Sequence, residues 1–262
     1  MNLNLALKTA LVCGGSQGIG KASAYELALL GANVTIVARN EANLKAVVQQ
    51  LPNNGHQTHQ YIVANLEDLD ATKIALENYL LTSPEVHILI NNAGGPKGGA
   101  LIDAEIEDFQ KAFNAHILAA QLITRAVLPS MQAANYGRIV NITSVGQKQP
   151  LVGLGVSNTI RGAMASWAKT MSMELGKFGI TVNNILPGYT LTNRLAQVNA
   201  MRAETLNLSI SEVEKAILKD IPIGRFTLPQ ETAALVAFLC SPAAAAISGT
   251  NIPVDGGKTS TF

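Results

Sequence analysis

The chain has 262 residues, 48% of them hydrophobic and 14% charged, enough apolar material for the core of one large domain. A net charge of +1, with no dense run of Lys or Arg, argues against a nucleic-acid groove or an anionic membrane surface. The two cysteines, Cys13 and Cys240, lie far apart in apolar surroundings and read as buried free thiols in a reducing, cytoplasmic compartment.

In chain order, short apolar runs alternate with longer helical segments. Thr9–Cys13 reads as a strand, followed by a glycine-rich turn and a helix to about Leu30. Asn33–Ala38 is a second strand, with a helix over Glu41–Leu51, and His59–Ala64 a third, with a helix over Leu69–Leu81. Val86–Asn91 is a fourth, and one long helix is expected from Glu105 to Met131. Gly137–Thr143 follows as a fifth strand, then a helix from Gly155 to about Phe178 and a sixth strand over Gly179–Leu186. A helix near Glu231–Leu239 and a strand over Thr250–Asp255 complete the pattern. Strands without strict alternation are buried on both faces, and intervening helices make right-handed crossovers. The expected fold is a single doubly wound, Rossmann-type α/β domain with a mostly parallel sheet. The polar, helical, glycine-free segment from Thr190 to Pro222 is an insertion expected at the carboxyl edge of the sheet, where ligands bind. No basic leader with a cleavage site opens the chain, and the apolar stretch 233–247 is short and broken by Pro242, so no membrane span is expected.

Three stretches carry chemistry. Gly14-x-x-x-Gly18-x-Gly20, with Ser16 and Ile19 between, joins the first strand to the first helix. Glycines there permit a tight turn and close approach of a pyrophosphate to backbone N–H groups. Asn91-Asn92-Ala93-Gly94 ends the fourth strand, where the asparagines can bond neighbouring backbone and the glycine lets a flat ring approach. Ser157 and Arg161 stand one helical turn apart, on one face. They form either an active-site pair or a helix-initiating serine with a surface cation. Ile160, Met164, Trp167, Met171 and Leu175 make a core or subunit-contact stripe on the same helix.

Together with Asn141–Ser144, Pro187-Gly188 and Val254–Gly257, the glycine turn and Asn91–Gly94 resemble the short-chain dehydrogenase/reductase family along essentially the whole chain, most of all its 3-oxoacyl-[acyl-carrier-protein] reductase branch. The resemblance implies a catalytic tetrad of Asn, Ser, Tyr and Lys. Asn114 matches the asparagine that holds a relay water, and Ser144 the serine that polarises the substrate carbonyl. Counting on from Ser144 places Ser157 and Arg161 at the Tyr and Lys positions, and no tyrosine occurs between Tyr136 and Tyr189. A serine hydroxyl is a much weaker acid than a phenol held near a cation, and it is shorter. Arg161 keeps the charge and can donate to ribose hydroxyls but cannot relay a proton. Tyr189 is the favoured substitute donor, ahead of Lys148 and His116.

The resemblance also places cofactor contacts at Asn65 and Leu66, at Asn92, Ala93 and Gly94, and at Pro187, Gly188 and Thr192. After the second strand, Arg39 follows Ala38 where NAD-selecting enzymes carry an acid, which favours NADP(H) over NAD(H). The expected activity is NADP(H)-linked carbonyl reduction or alcohol oxidation, with a small-molecule substrate. A catalytically silent nucleotide-binding subunit with a scaffolding or regulatory role is the competing reading. The two long helices carry apolar residues on more than one face, which implies a homotetramer or homodimer.

Overall fold

The computed structural model describes residues 1–83 and 85–261. Seven parallel strands form one sheet in the order β3-β2-β1-β4-β5-β6-β7. The strands are β1 (Thr9–Cys13), β2 (Asn33–Ala38), β3 (Gln60–Val63), β4 (Ile88–Asn91), β5 (Gly137–Ile142), β6 (Ile180–Pro187) and β7 (Asn251–Val254). The chain reverses direction across the sheet between β1 and β4, and this switch point opens a crevice at the carboxyl ends. Helices α1 (Gly18–Leu29), α2 (Glu41–Gln50) and α3 (Leu69–Thr82) follow the first three strands.

The long helix expected over Glu105–Met131 is instead two. Helix α4 (Ile106–Phe113) and helix α5 (Ala119–Ala133) are joined by a π turn, Asn114–Leu118. A π turn widens the ring of one turn without breaking the helical path, so hydrophobic periodicity does not reveal it. Helix α6 (Gly155–Leu175) leads to β6, and α7 (Asn193–Leu206), α8 (Ile210–Lys219) and α9 (Pro229–Cys240) lie between β6 and β7.

Both sheet faces are covered. Ala24, Leu27 and Ala28 of α1 pack with Val236, Leu239 and Cys240 of α9 on one face. Leu76, Ile123, Val127, Ala168 and Leu175 from α3, α5 and α6 cover the other. Burial pushes the Cys13 and Cys240 thiols up to about 12, which leaves both chemically quiet.

One polar feature crosses this apolar sheet. Asn91, Asn141, Asn184 and Asn251 occupy matched positions on β4, β5, β6 and β7. Each donates its amide to the next: Asn91 Nδ2 to Asn141 Oδ1 at 2.8 Å, Asn141 Nδ2 to Asn184 Oδ1 at 2.8 Å, and Asn184 Nδ2 to Asn251 Oδ1 at 2.7 Å. Asn91, Asn141 and Asn184 are buried, which is tolerated because their bonds are satisfied, and the row fixes the register of all four strands.

Candidate active site

The crevice at the switch point is a cleft of about 1110 Å³. Its floor begins at the turn after β1. Gly14 has a φ of +61°, and a Cβ there would lie 2.0 Å from the Asn92 carbonyl oxygen. A Cβ on Gly20 would lie 2.1 Å from the Gly14 carbonyl oxygen. Asn92 Nδ2 donates to the carbonyls of Cys13 and Gly14, both at 3.3 Å, and so ties this turn to β4. Backbone is packed against backbone here, which only glycine permits. The turn then opens the N-terminus of α1, where free N–H groups and the helix dipole favour a phosphate.

Of the positions singled out for a cofactor, Gly14, Ser16, Gly18, Ile19, Arg39, Asn65, Leu66, Asn92, Ala93, Gly94, Arg161, Pro187, Gly188 and Thr192 all line the cleft. Gly20 does not; it lies behind the turn and supports it. Beyond Gly94, no atom of the described residues outside its chain neighbours lies within 4 Å of where a Cβ would point, so that wall is open to a flat group. Arg39 is exposed, and among the described residues it has no ion-pair partner.

Ser144, Ser157, Arg161 and Tyr189 line the same cleft. Asn114 does not. Its side chain donates to the Glu67 carbonyl oxygen at 3.4 Å, and its neighbour Ala115 reaches the cleft instead. The π turn that begins at Asn114 sets this placement. Ser144 Oγ accepts from Gly146 N at 3.1 Å, which leaves its own hydrogen for a ligand. Ser157 is not a helix cap, because α6 begins after Leu154 and Ser157 sits inside its first turn.

Arg161 is not a surface cation. It is 7% exposed, and its Nη1 donates to the Ile142 carbonyl oxygen at 3.1 Å and to His116 Nδ1 at 3.3 Å. His116 Nε2 donates to the Gly94 carbonyl oxygen at 3.0 Å, so the ring carries its hydrogen on Nε2 and accepts at Nδ1. Burial, then the Arg161 charge, hold His116 well below the usual imidazole range. Burial, then the charge of Arg194, pull Arg161 down to about 10. A histidine locked neutral and an arginine that keeps its proton cannot form a relay; together they hold the guanidinium in place. Beneath them lies a void of about 10 Å³, lined by Asn91, Asn141, His116 and Arg161 among others, with room for one water at most.

This pair has a thermodynamic signature. Unfolded His116 would bind a proton near pH 6.5, whereas folded His116 resists it. Its contribution is fully present above pH 6.5 and is lost as pH falls from there toward the lowered folded value. Stability should fall by about 1.4 kcal/mol per pH unit in that window from this group alone. Urea unfolding at several pH values should show the slope in the wild type, and a shallower one in His116→Gln.

Tyr189 rests its ring against Phe226, with centroids 6.5 Å apart, and its hydroxyl accepts from Arg202 Nη1 at 3.2 Å. Its own hydrogen stays free to donate. Lys148 does not reach the cleft. Sequence reasoning missed Arg194 and Arg202 of α7, both of which line it. Arg194 Nη2 donates to the Pro96 carbonyl oxygen, and its guanidinium lies over Gly95. The signal was available, since the inserted segment carries two arginines two helical turns apart.

The geometry agrees with the comparisons. Residues 14–259 match the family described as enoyl-(acyl carrier protein) reductase. A 3-oxoacyl-[acyl-carrier-protein] reductase from Synechocystis is 32% identical over 255 residues, covering 97% of each chain. Among solved structures, L-sorbose reductase from Gluconobacter frateurii, in complex with NADPH and L-sorbose, superposes with a TM-score of 0.92 at 27% identity, covering all of both chains. The NADPH-dependent reductase YwfH of bacilysin biosynthesis superposes with a TM-score of 0.91 at 28% identity, covering 97% of this chain and 99% of that one.

Proposed function

Because the chain belongs to the short-chain dehydrogenase/reductase family, we propose that it is an NADP(H)-linked carbonyl reductase or alcohol dehydrogenase with an altered proton donor. The observation that carries this reading is the glycine cradle after β1, clamped by Asn92 and continuous with a cleft that also holds Ser144. When bound, NADPH would supply the hydride. The turn and the N-terminus of α1 would hold its pyrophosphate, Asn65 and Leu66 its adenine, and Arg39 its 2′-phosphate. Gly94, Pro187, Gly188 and Thr192 would border the nicotinamide. Ser144 would donate a hydrogen bond to the substrate carbonyl oxygen. Without a phenol at position 157, the proton would come from a water held at Ser157 or from the Tyr189 hydroxyl.

NADPH fluorescence titration, followed by its oxidation with a panel of ketones, quinones and 3-oxoacyl thioesters, tests the reading. Binding with turnover supports it; binding with none across the panel favours the silent nucleotide-binding subunit. The cofactor preference has its own test. Wild type should bind NADPH more tightly than NADH, and Arg39→Asp should reverse that order by placing a carboxylate where the 2′-phosphate would sit. Equal wild-type affinities would refute the assignment.

We also propose that the protein is a homotetramer or homodimer. Phe113, Leu118 and Met173 leave apolar surface on the helices around the π turn and on α6. Light scattering should show an oligomer at micromolar concentration, and a clean monomer would refute it.

A further inference from the structure

We propose that the substrate end of the cleft is a carboxylate site formed by Arg161 and Arg194, and that the substrate is a carbonyl or alcohol compound bearing a carboxylate. This rests on reading the cleft as a cofactor and substrate site.

Three arginines line this region: Arg161, Arg194 and Arg202. Each is held only by neutral acceptors. Arg161 bonds the Ile142 carbonyl and His116, Arg194 the Pro96 carbonyl, and Arg202 the Tyr189 hydroxyl. Among the described residues none of the three has a carboxylate partner; the four ion pairs lie elsewhere. The two acids that line the cleft, Glu26 of α1 and Glu67 after β3, belong to elements on the β2–β3 side. Arg161 is the most demanding of the three. It is almost fully buried, its Nε is shut away without a partner, and its Nη2 makes no bond within the described residues.

A buried cation with no counter-charge carries a desolvation cost that neutral acceptors recover only in part. The charge of Arg194, half-buried nearby, depresses Arg161 further, and that repulsion persists until an anion joins the two. A guanidinium presents a planar fork that matches a carboxylate with two parallel bonds. Arg194 opens α7, in the segment inserted between β6 and β7, and it packs on the Gly95–Pro96 loop that leaves β4. The site is thus built from both sides of the cleft. The other available oxyanion is the cofactor's pyrophosphate, but the glycine turn and α1 already provide for that group.

Calorimetry on protein saturated with NADP⁺ separates these sources. The probes are 2-oxobutanoate and 4-oxopentanoate, each against its methyl ester, so that only the charge changes. Wild type should bind at least one acid tenfold or more tightly than its ester. Arg194→Gln should remove that preference while leaving the ester and NADPH affinities within about threefold. Circular dichroism and an unchanged melting temperature establish that the variant is folded, and Arg194→Lys should restore part of the preference through charge alone. Acid and ester binding alike, or neither acid binding below 10 mM, overturns the proposal. So does an Arg194→Gln variant that loses NADPH affinity tenfold, which assigns the arginine to the pyrophosphate. Failure of the wild type to bind NADPH at all would instead strike the functional reading beneath it.

Discussion

The double variant Ser157→Tyr with Arg161→Lys should reduce a neutral ketone roughly 10²–10⁴-fold faster than the wild type, equivalent to about 3–5 kcal/mol of barrier. A phenol near an ammonium is a far stronger acid than an aliphatic hydroxyl, and its oxygen reaches further into the cleft. Ser144, which would hold the carbonyl, already lines that cleft with its own hydrogen free. Ser157→Tyr alone should gain less, because Arg161 can hold a phenol but cannot pass on its proton. NADPH affinity should stay within a few-fold. Stopped-flow NADPH oxidation provides the measurement. A wild type as fast as ordinary reductases would locate the donor elsewhere, with Tyr189 first in line. A folded double variant that binds NADPH and ketone yet gains nothing would show that position 157 does not face the reacting carbonyl.

Gly14→Ala should abolish NADPH binding and destabilise the fold by several kcal/mol. The left-handed backbone costs an L-residue about 1–2 kcal/mol. A Cβ 2.0 Å from the Asn92 carbonyl oxygen adds a clash between two backbones, neither of which can rotate away. Asn92 is held in turn through Asn91, which is bonded into β5. Gly18→Ala is the comparison. Its φ is also positive, at +54°, but the nearest atom to its Cβ is a Thr192 methyl at 3.2 Å, which can yield. That variant should lose only about 1–2 kcal/mol. Equal melting temperatures for the two would show that close approach at Gly14 is not what demands glycine.

The strands and the glycine turn were legible in the sequence because their signals are local. Apolar runs four to eight residues long, bounded by turn residues, leave little choice of structure. A count along the chain also brought Ser144, Ser157 and Arg161 together, and the three line one cleft. What was hidden depends on contacts across space. The burial of Arg161 rests on His116, 45 positions away in sequence, and the pairing of two such residues leaves no periodic trace. The π turn was invisible because the apolar spacing of α4 and α5 runs on through it, and its effect is to turn Asn114 toward Glu67 rather than the cleft. The asparagines of four strands stand in the sequence at different places, from the start of β7 to the middle of β6 and the end of β4, and the sheet order that aligns them was needed before they became a row.

That row has a direction. The amide nitrogens of Asn91, Asn141 and Asn184 all point from β4 toward β7, so these three side-chain dipoles add rather than cancel. The oxygen end of the row is Asn91, at the strand beside the switch point. Asn91 lines the same small void as Arg161, so the β4 end of the row reaches the chamber where the guanidinium is buried. A sheet that carries no formal charge there still offers a cation a region of negative potential, built from peptide-like groups alone. An exchange of Asn184 or Asn251 for an apolar residue would therefore shorten a row that ends beside Arg161, a residue that neither of them touches.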